Sequence, residues 1–234
     1  MIPLLKVENL SKTFLLHILG EKVIHGVSSV SLEVRKGEFV GLSGPSGAGK
    51  SSILKCIYRT YVPTSGSILY DSPEMGRIDL STASEHDVLK IRGSEIGYVS
   101  QFLKVIPRVP AIEVVADPLI GLGVPEKEAK ERAAELMGRL RIPEHLFDAY
   151  PSTFSGGEQQ RINIARAIIW KPRLLLVDEP TASLDKTSAN LVVDALMTMR
   201  KEGTAMLGIL HNQEIMNTIA NRIYPLQEGT QIET

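Results

Sequence analysis

The sequence has a single cysteine, no excess of either charge and no long uninterrupted apolar run. One cysteine, Cys56, rules out an intramolecular disulfide and fits a reducing compartment. Lysine and arginine number 26 against 27 aspartates and glutamates. That balance offers neither the basic footprint of a nucleic-acid binder nor a polybasic patch for an anionic membrane. Near the N-terminus, Lys6 and Glu8 come too early for a secretory apolar region. The most apolar later stretch, residues 105–124, is broken by Pro107, Arg108, Pro110, Glu113, Asp117 and Pro118. It falls short of the run of about 20 apolar residues that crosses a bilayer. Internal repeats and low-complexity segments are absent too. These absences predict a soluble, cytoplasmic protein with no direct membrane insertion and no nucleic-acid partner. At 234 residues the chain suits one α/β domain with a smaller lobe inserted.

What is present is an ordered series of strand, loop and helix signals. Residues 4–10 and 23–34 read as strands, and Lys36-Gly37 as a turn. Phe39 to Ser43 is a short apolar run entering a glycine-rich loop, and Ser51 to Tyr58 has helical spacing, which places Cys56 on a helix as a small core residue. A Ser65-Gly66 turn precedes a strand at Ser67 to Tyr70, and another, Ile96 to Val99, leads into Gln101. From residue 102 to 170 the pattern is helical without a convincing strand. Ala129, Ala133, Leu136, Met137 and Leu140 form one stripe, and Ile162, Ala165, Ile168 and Ile169 another. Leu174 to Val177 is wholly apolar, as a parallel strand covered on both faces must be. Helix, strand and helix follow at Thr187–Lys201, Met206–Leu210 and Gln213–Ala220. The expected fold is an α/β P-loop architecture: a mainly parallel, RecA-like core with a β lobe (1–101 and 171–234) and a helical subdomain inserted at 102–170.

Gly44-Pro45-Ser46-Gly47-Ala48-Gly49-Lys50-Ser51 is the phosphate-cradling P-loop (Walker A) pattern. Backbone N–H groups of Gly47, Ala48 and Gly49 are expected to wrap a β-phosphate, glycine allowing the tight curl. The following helix turns its partly positive N-terminus to the same anion. Lys50 then reaches the β- and γ-phosphates, the Ser51 hydroxyl coordinates Mg²⁺, and Ser52 meets the α-phosphate. A glycine-rich structural turn is the bland alternative, and the flanking strand and helix count against it. Asp178, ending the apolar run, suits a second Mg²⁺ contact, and Glu179 a general base for the attacking water. A strand-end acidic pair can also be a mere cap; a P-loop upstream favours catalysis. Ser155-Gly156-Gly157 opens the helix bearing Gln159, Gln160 and Arg161. It is either an ordinary N-cap or a tip that lets an outside anion approach exposed N–H groups, and the residues alone leave both open.

Taken in order, these motifs resemble the nucleotide-binding subunit of ATP-binding-cassette (ABC) proteins from Lys6 to about Leu226. The resemblance implies an ATPase using ATP and Mg²⁺ and working beside a second ABC subunit, as a homodimer or a paralogous heterodimer. It implies that Ser155, Gly156 and Gly157 serve the γ-phosphate of ATP held by the opposite subunit. Gln101 is then the Q-loop glutamine that senses Mg²⁺ and the γ-phosphate and couples to partners. Ala182-Ser183-Leu184-Asp185 is similar to the D-loop, with Asp185 crossing the dimer interface. His211 matches the switch histidine, and Phe14 the aromatic that stacks on adenine, with core packing as the less favoured alternative. Phe154 and Glu158 stand where Leu and Gln are usual, and Asn212 where Asp is frequent.

Within that family, the segments Val99 to Arg108 and Pro151 to Arg161, with Ala220-Asn221-Arg222 after His211, resemble the L subunit of the bacterial carbon–phosphorus lyase system. That implies a role in phosphonate metabolism with the lyase core subunits as partners, assisting synthesis of ribose-1-phosphonate 5-triphosphate. The rival expectation is the ATPase of a lipoprotein-release or macrolide-type membrane exporter. Such proteins also have a long segment between P-loop and Q-loop, here containing Ile91-Arg92. A third is an ABC regulator that binds without substrate turnover.

Overall fold

The computed structural model describes residues 2–16, 22–101, 107–182, 184–226 and 232–233. Among them the strands form two five-stranded sheets. One consists of β3 (Phe39–Ser43), β6 (Ile96–Val99), β7 (Leu174–Asp178), β8 (Ala205–Ile209) and β9 (Arg222–Pro225), ordered β6-β7-β8-β3-β9, with every pairing parallel. The other consists of β1 (Leu5–Leu16), β2 (Lys22–Val34), β4 (Ser65–Ser72), β5 (Gly76–Asp79) and β10 (Ile232–Glu233), ordered β10-β2-β1-β4-β5 and antiparallel throughout.

Why the parallel strands are apolar end to end is clear from the two hydrophobic clusters they divide. Leu174 and Leu176 of β7 join the cluster that includes Leu5, Leu10, Ile68 and Tyr70 of the antiparallel sheet and Ile53, Leu54 and Ile57 of the helix after the glycine loop. Leu175 and Val177, one residue out of phase, join the cluster built with the helices of 111–168 and those that follow β7 and β8. Both faces are thus dry, and each fully buried aliphatic side chain contributes roughly 1.5–3 kcal/mol. The same division sets Phe39 of β3 against Val40 and Leu42.

Between β6 and β7 the elements among the described residues are all helical, two short 3₁₀ turns besides α3 (Ala111–Gly121), α4 (Glu126–Arg139) and α5 (Gly156–Ile168). The expected stripe of α4 is buried at Ala129, Ala133, Leu136 and Met137. On α5 the buried set includes Ile162, Ala165 and Ile168, and also the polar Gln160 and Asn163. The core helices are α1 (Lys50–Ile57), α2 (Glu85–Ser94), α6 (Lys186–Lys201) and α7 (Gln213–Ile219). Cys56 is fully buried on α1, and burial pushes its thiol up to about 11. The expected turn at Ser65-Gly66 is instead the start of β4, because Ser65 already pairs with Ser11 of β1. Phe102 to Ile106 of the distinctive segment, and Ser183 of the D-loop-like segment, lie outside the described residues.

Candidate functional site

The glycine loop lies between the end of β3 and the start of α1, so a parallel strand delivers the chain to a helix N-terminus. Gly49 caps α1 at φ +86°, and a Cβ there would stand 1.8 Å from the carbonyl oxygen of Gly26 on β2. Only glycine allows the loop to pass that close. Gly47 is also left-handed, at φ +83°, but a Cβ there would meet nothing within 4 Å. The Lys50 ammonium folds back over its own loop, donating to the carbonyls of Gly44 (2.8 Å) and Pro45 (2.7 Å). A cavity of about 510 Å³ opens here, lined by Gly44, Ser46, Gly47, Gly49, Lys50, Ser51 and Ser52 and, from across the sheet, by Glu179, His211 and Gln213. Ala48 is buried beneath the loop.

Asp178 ends β7 and is 6% exposed. Its Oδ1 accepts the Ser51 hydroxyl at 2.9 Å and its Oδ2 the Tyr98 hydroxyl at 2.9 Å. Hard oxygen donors from Ser51 and Asp178, at the mouth of a phosphate cradle, suit Mg²⁺, which takes one or two protein oxygens and fills its octahedron with phosphate and water. Gln101 donates to Glu179 Oε2 at 3.4 Å. The strand exit before Gln101 is anchored by α5, where Asn163 and Gln160 donate to the Ser100 carbonyl at 2.7 and 3.2 Å. Glu179 takes φ +51°, a conformation that costs a non-glycine residue on the order of 1–3 kcal/mol. Its N–H donates to Ile209 at the end of β8, just before His211. Asn212, where an aspartate is frequent, caps α7 by accepting from the N–H groups of Glu214 and Ile215.

The remaining expected residues stand elsewhere. Ser155, Gly156, Gly157 and Asp185 do not line the P-loop cavity. Ser155 caps α5 in a capping box with Glu158, whose carboxylate accepts the Ser155 hydroxyl (2.6 Å) and N–H (2.9 Å). Those two bonds hold the Glu158 carboxyl below its ordinary range. Asp185 caps α6, and the Ser188 N–H and hydroxyl, with the Thr187 N–H, likewise hold its carboxyl low. Arg161 joins the two helices by donating to the Ser188 hydroxyl at 2.8 Å. Phe14 is half-buried, with its ring edge-on to Tyr61 (5.2 Å between centroids) and the Lys12 ammonium 5.1 Å from its centre. Sequence reasoning missed Tyr98 and Gln213. No local signal marks Tyr98, because an aromatic in a core strand reads as packing.

A parallel sheet that delivers a glycine loop to a helix tip, with a carboxylate at the end of β7, one strand removed from the loop's own β3, defines a P-loop nucleoside triphosphatase. A family model described as "ABC transporter" matches residues 27–182, and the chain belongs to that family. It is an ABC ATPase, using ATP and Mg²⁺. It is 34% identical to the lipoprotein-releasing system ATP-binding protein LolD of Aquifex aeolicus, over 98% of this chain and 96% of that one. Identity to the macrolide export ATP-binding/permease protein MacB of Brucella abortus is 37% over 97% of this chain, which spans only 34% of that relative's length. The cell division ATP-binding protein FtsE of Bacillus subtilis is 36% identical over 90% of this chain and 88% of its own. Among solved structures, the dimeric bacterial ABC transporter cassette MJ0796 superposes with a TM-score of 0.87 at 32% identity, covering 98% of this chain and 97% of that one. A post-hydrolysis dimer of the same cassette, bound to ADP and Pi, matches with a TM-score of 0.87 at 30% identity.

Proposed function

We propose that two such subunits sandwich two ATP molecules head to tail and convert hydrolysis into movement of a separate load. In each site Gly47, Ala48 and Gly49 wrap the β-phosphate, Lys50 bridges the β- and γ-phosphates, and Ser52 meets the α-phosphate. Ser51, Asp178 and Gln101 would hold Mg²⁺, which supplies charge neutralisation on the phosphates. Glu179 orients water as general base, His211 contacts the γ-phosphate, and Phe14 stacks on adenine. The opposite subunit brings Ser155, Gly156 and Gly157 to the γ-phosphate, and Asp185 crosses the interface. ATP closes the pair because its γ-phosphate bridges both halves, and hydrolysis removes the bridge.

One observation carries this reading. The cavity unites the P-loop with Glu179 and His211, yet the Ser155-Gly156 tip is exposed and stands outside it. The dimeric neighbour supports it. In this reading the division of labour follows the expected boundaries, 102–170 acting as the helical subdomain that carries the tip. Glu179→Gln tests it: ATP binding should persist, a dimer should accumulate by size-exclusion chromatography with MgATP, and turnover should fall by about 100-fold or more. Ordinary hydrolysis by this variant would remove Glu179 from its role.

For the load, the relatives above favour a membrane complex of the lipoprotein-release or macrolide-export kind. Among the described residues no helix is long and apolar enough to cross a membrane, so the load would be a separate membrane protein or segment. None of those relatives is a carbon–phosphorus lyase subunit. The lyase reading rests on a different observation, the resemblance of segments 99–108 and 151–161 to the L subunit of that system. Affinity purification from cells grown on a phosphonate separates the two: an integral membrane partner supports export, and core lyase subunits support phosphonate degradation.

A further inference from the structure

We propose that Tyr98 is a positioning residue for the Mg²⁺ carboxylate: its hydroxyl fixes the plane of Asp178 so that one oxygen is held toward Ser51 and the metal. The inference rests on the proposed metal role of Asp178.

The two oxygens of Asp178 are engaged by different elements. Ser51 of α1 donates to Oδ1, and Tyr98 of β6 donates to Oδ2, each at 2.9 Å. A carboxylate held at one oxygen can still turn about its own axis; held at both, it cannot. Strand register explains how the tyrosine gets there. Tyr98 pairs with Leu176 on β7, and Asp178, two residues on, points to the same face. The donor is itself braced. Its ring packs at 5.0 Å against Tyr58, the residue that ends the P-loop helix, and the Arg92 guanidinium of α2 lies 4.1 Å over the Tyr58 ring. Partners of this kind, which orient a metal ligand without touching the metal, are typically worth 10–100-fold in metal affinity.

The test is Tyr98→Phe, which keeps the ring stack and removes only the hydroxyl. Two binding constants are read: that of Mn²⁺, by electron paramagnetic resonance with a non-hydrolysable ATP analogue, and that of the analogue alone in EDTA. The expected result is Mn²⁺ binding weakened about 10-fold with metal-free nucleotide affinity unchanged. Merely structural damage would weaken both together. Tyr58→Ala, which removes the brace but leaves the hydroxyl, should give a smaller loss of the same kind. Unchanged Mn²⁺ affinity in Tyr98→Phe, or an equal loss in both constants, overturns the proposal. An Asp178→Asn control with unchanged Mn²⁺ affinity would overturn the metal assignment beneath it, and so separates the two failures.

Discussion

Two glycines of the phosphate loop share a backbone conformation but not an environment, so replacing each by alanine should separate folding from binding. Gly47 and Gly49 have φ of +83° and +86°. Forcing alanine into that region costs about 1–2 kcal/mol in either case. At Gly47 that is the whole structural penalty, since an added Cβ meets nothing within 4 Å. At Gly49 the methyl would stand 1.8 Å from the Gly26 carbonyl oxygen, so either the loop or β2 must move by more than an ångström. Overpacking of that kind adds about 1–3 kcal/mol. For a domain of this size each kcal/mol lowers the melting temperature by about 2–4 °C. Gly47→Ala should therefore melt about 2–8 °C below the parent, and Gly49→Ala lower still, by about 4–20 °C in all. Nucleotide binding should run the other way round relative to stability: Gly47→Ala, nearly intact, should show little thermal stabilisation by MgATP, because its methyl would enter the open space where the proposed cradle wraps the β-phosphate. Differential scanning calorimetry without and with MgATP reads both quantities. Equal melting temperatures for the two variants would refute the steric argument, and full stabilisation of Gly47→Ala by MgATP would refute the cradle.

Lys50→Ala would remove the proposed charge-assisted bonds to the phosphates, worth about 1.5–3 kcal/mol, so ATP affinity by fluorescence titration should fall about 10–100-fold; an unchanged affinity would count against the cradle. Asp185 has a depressed carboxyl, so its stabilisation is complete above the unfolded pKa of about 4 and is lost as pH falls below that, through the folded value. Asp185→Asn keeps a helix-capping side chain that does not titrate, so parent and variant should differ in melting temperature at pH 7 and draw together as the carboxyl is protonated in acid; a difference independent of pH would contradict this. With its thiol pushed up to about 11, Cys56 should resist iodoacetamide at pH 8 in the folded protein and react readily in guanidinium chloride, and stoichiometric labelling of the folded chain within minutes would disprove its burial.

The elements that could be read from the sequence are those whose surroundings are uniform along their length. Leu174 to Val177 announced a doubly covered strand because both of its faces are apolar, and α4 announced itself by one continuous stripe. The elements missed are those with little buried surface of their own. Helix α2 buries only Val88 and Ile91, and its best signal is the Ser84 cap before Glu85 and Asp87. Helix α3 is different: it buries Ala111, Val114, Val115, Ala116 and Leu119, but Pro118 interrupts its run, so within the expected helical region it carries no continuous stripe of its own. Strand β9 is an edge strand, mostly exposed, and ends in Pro225. The loop side chains around the cavity were readable because their chemistry is local to a motif. Tyr98 was not, because its partner Asp178 is reached only through strand pairing.

The guanidinium of Arg161, clasped to the serine that also binds Asp185, fastens the tip of α5 to the start of α6. Were that clasp absent, the two helix ends could be drawn in separately, and a loosely half-gathered pair of subunits would be easy to populate. With it, in the proposed cycle, a pull on either end would be shared by the other, and intermediate grips would be penalised. Switching between apart and together would then be sharper than the sum of its contacts would make it.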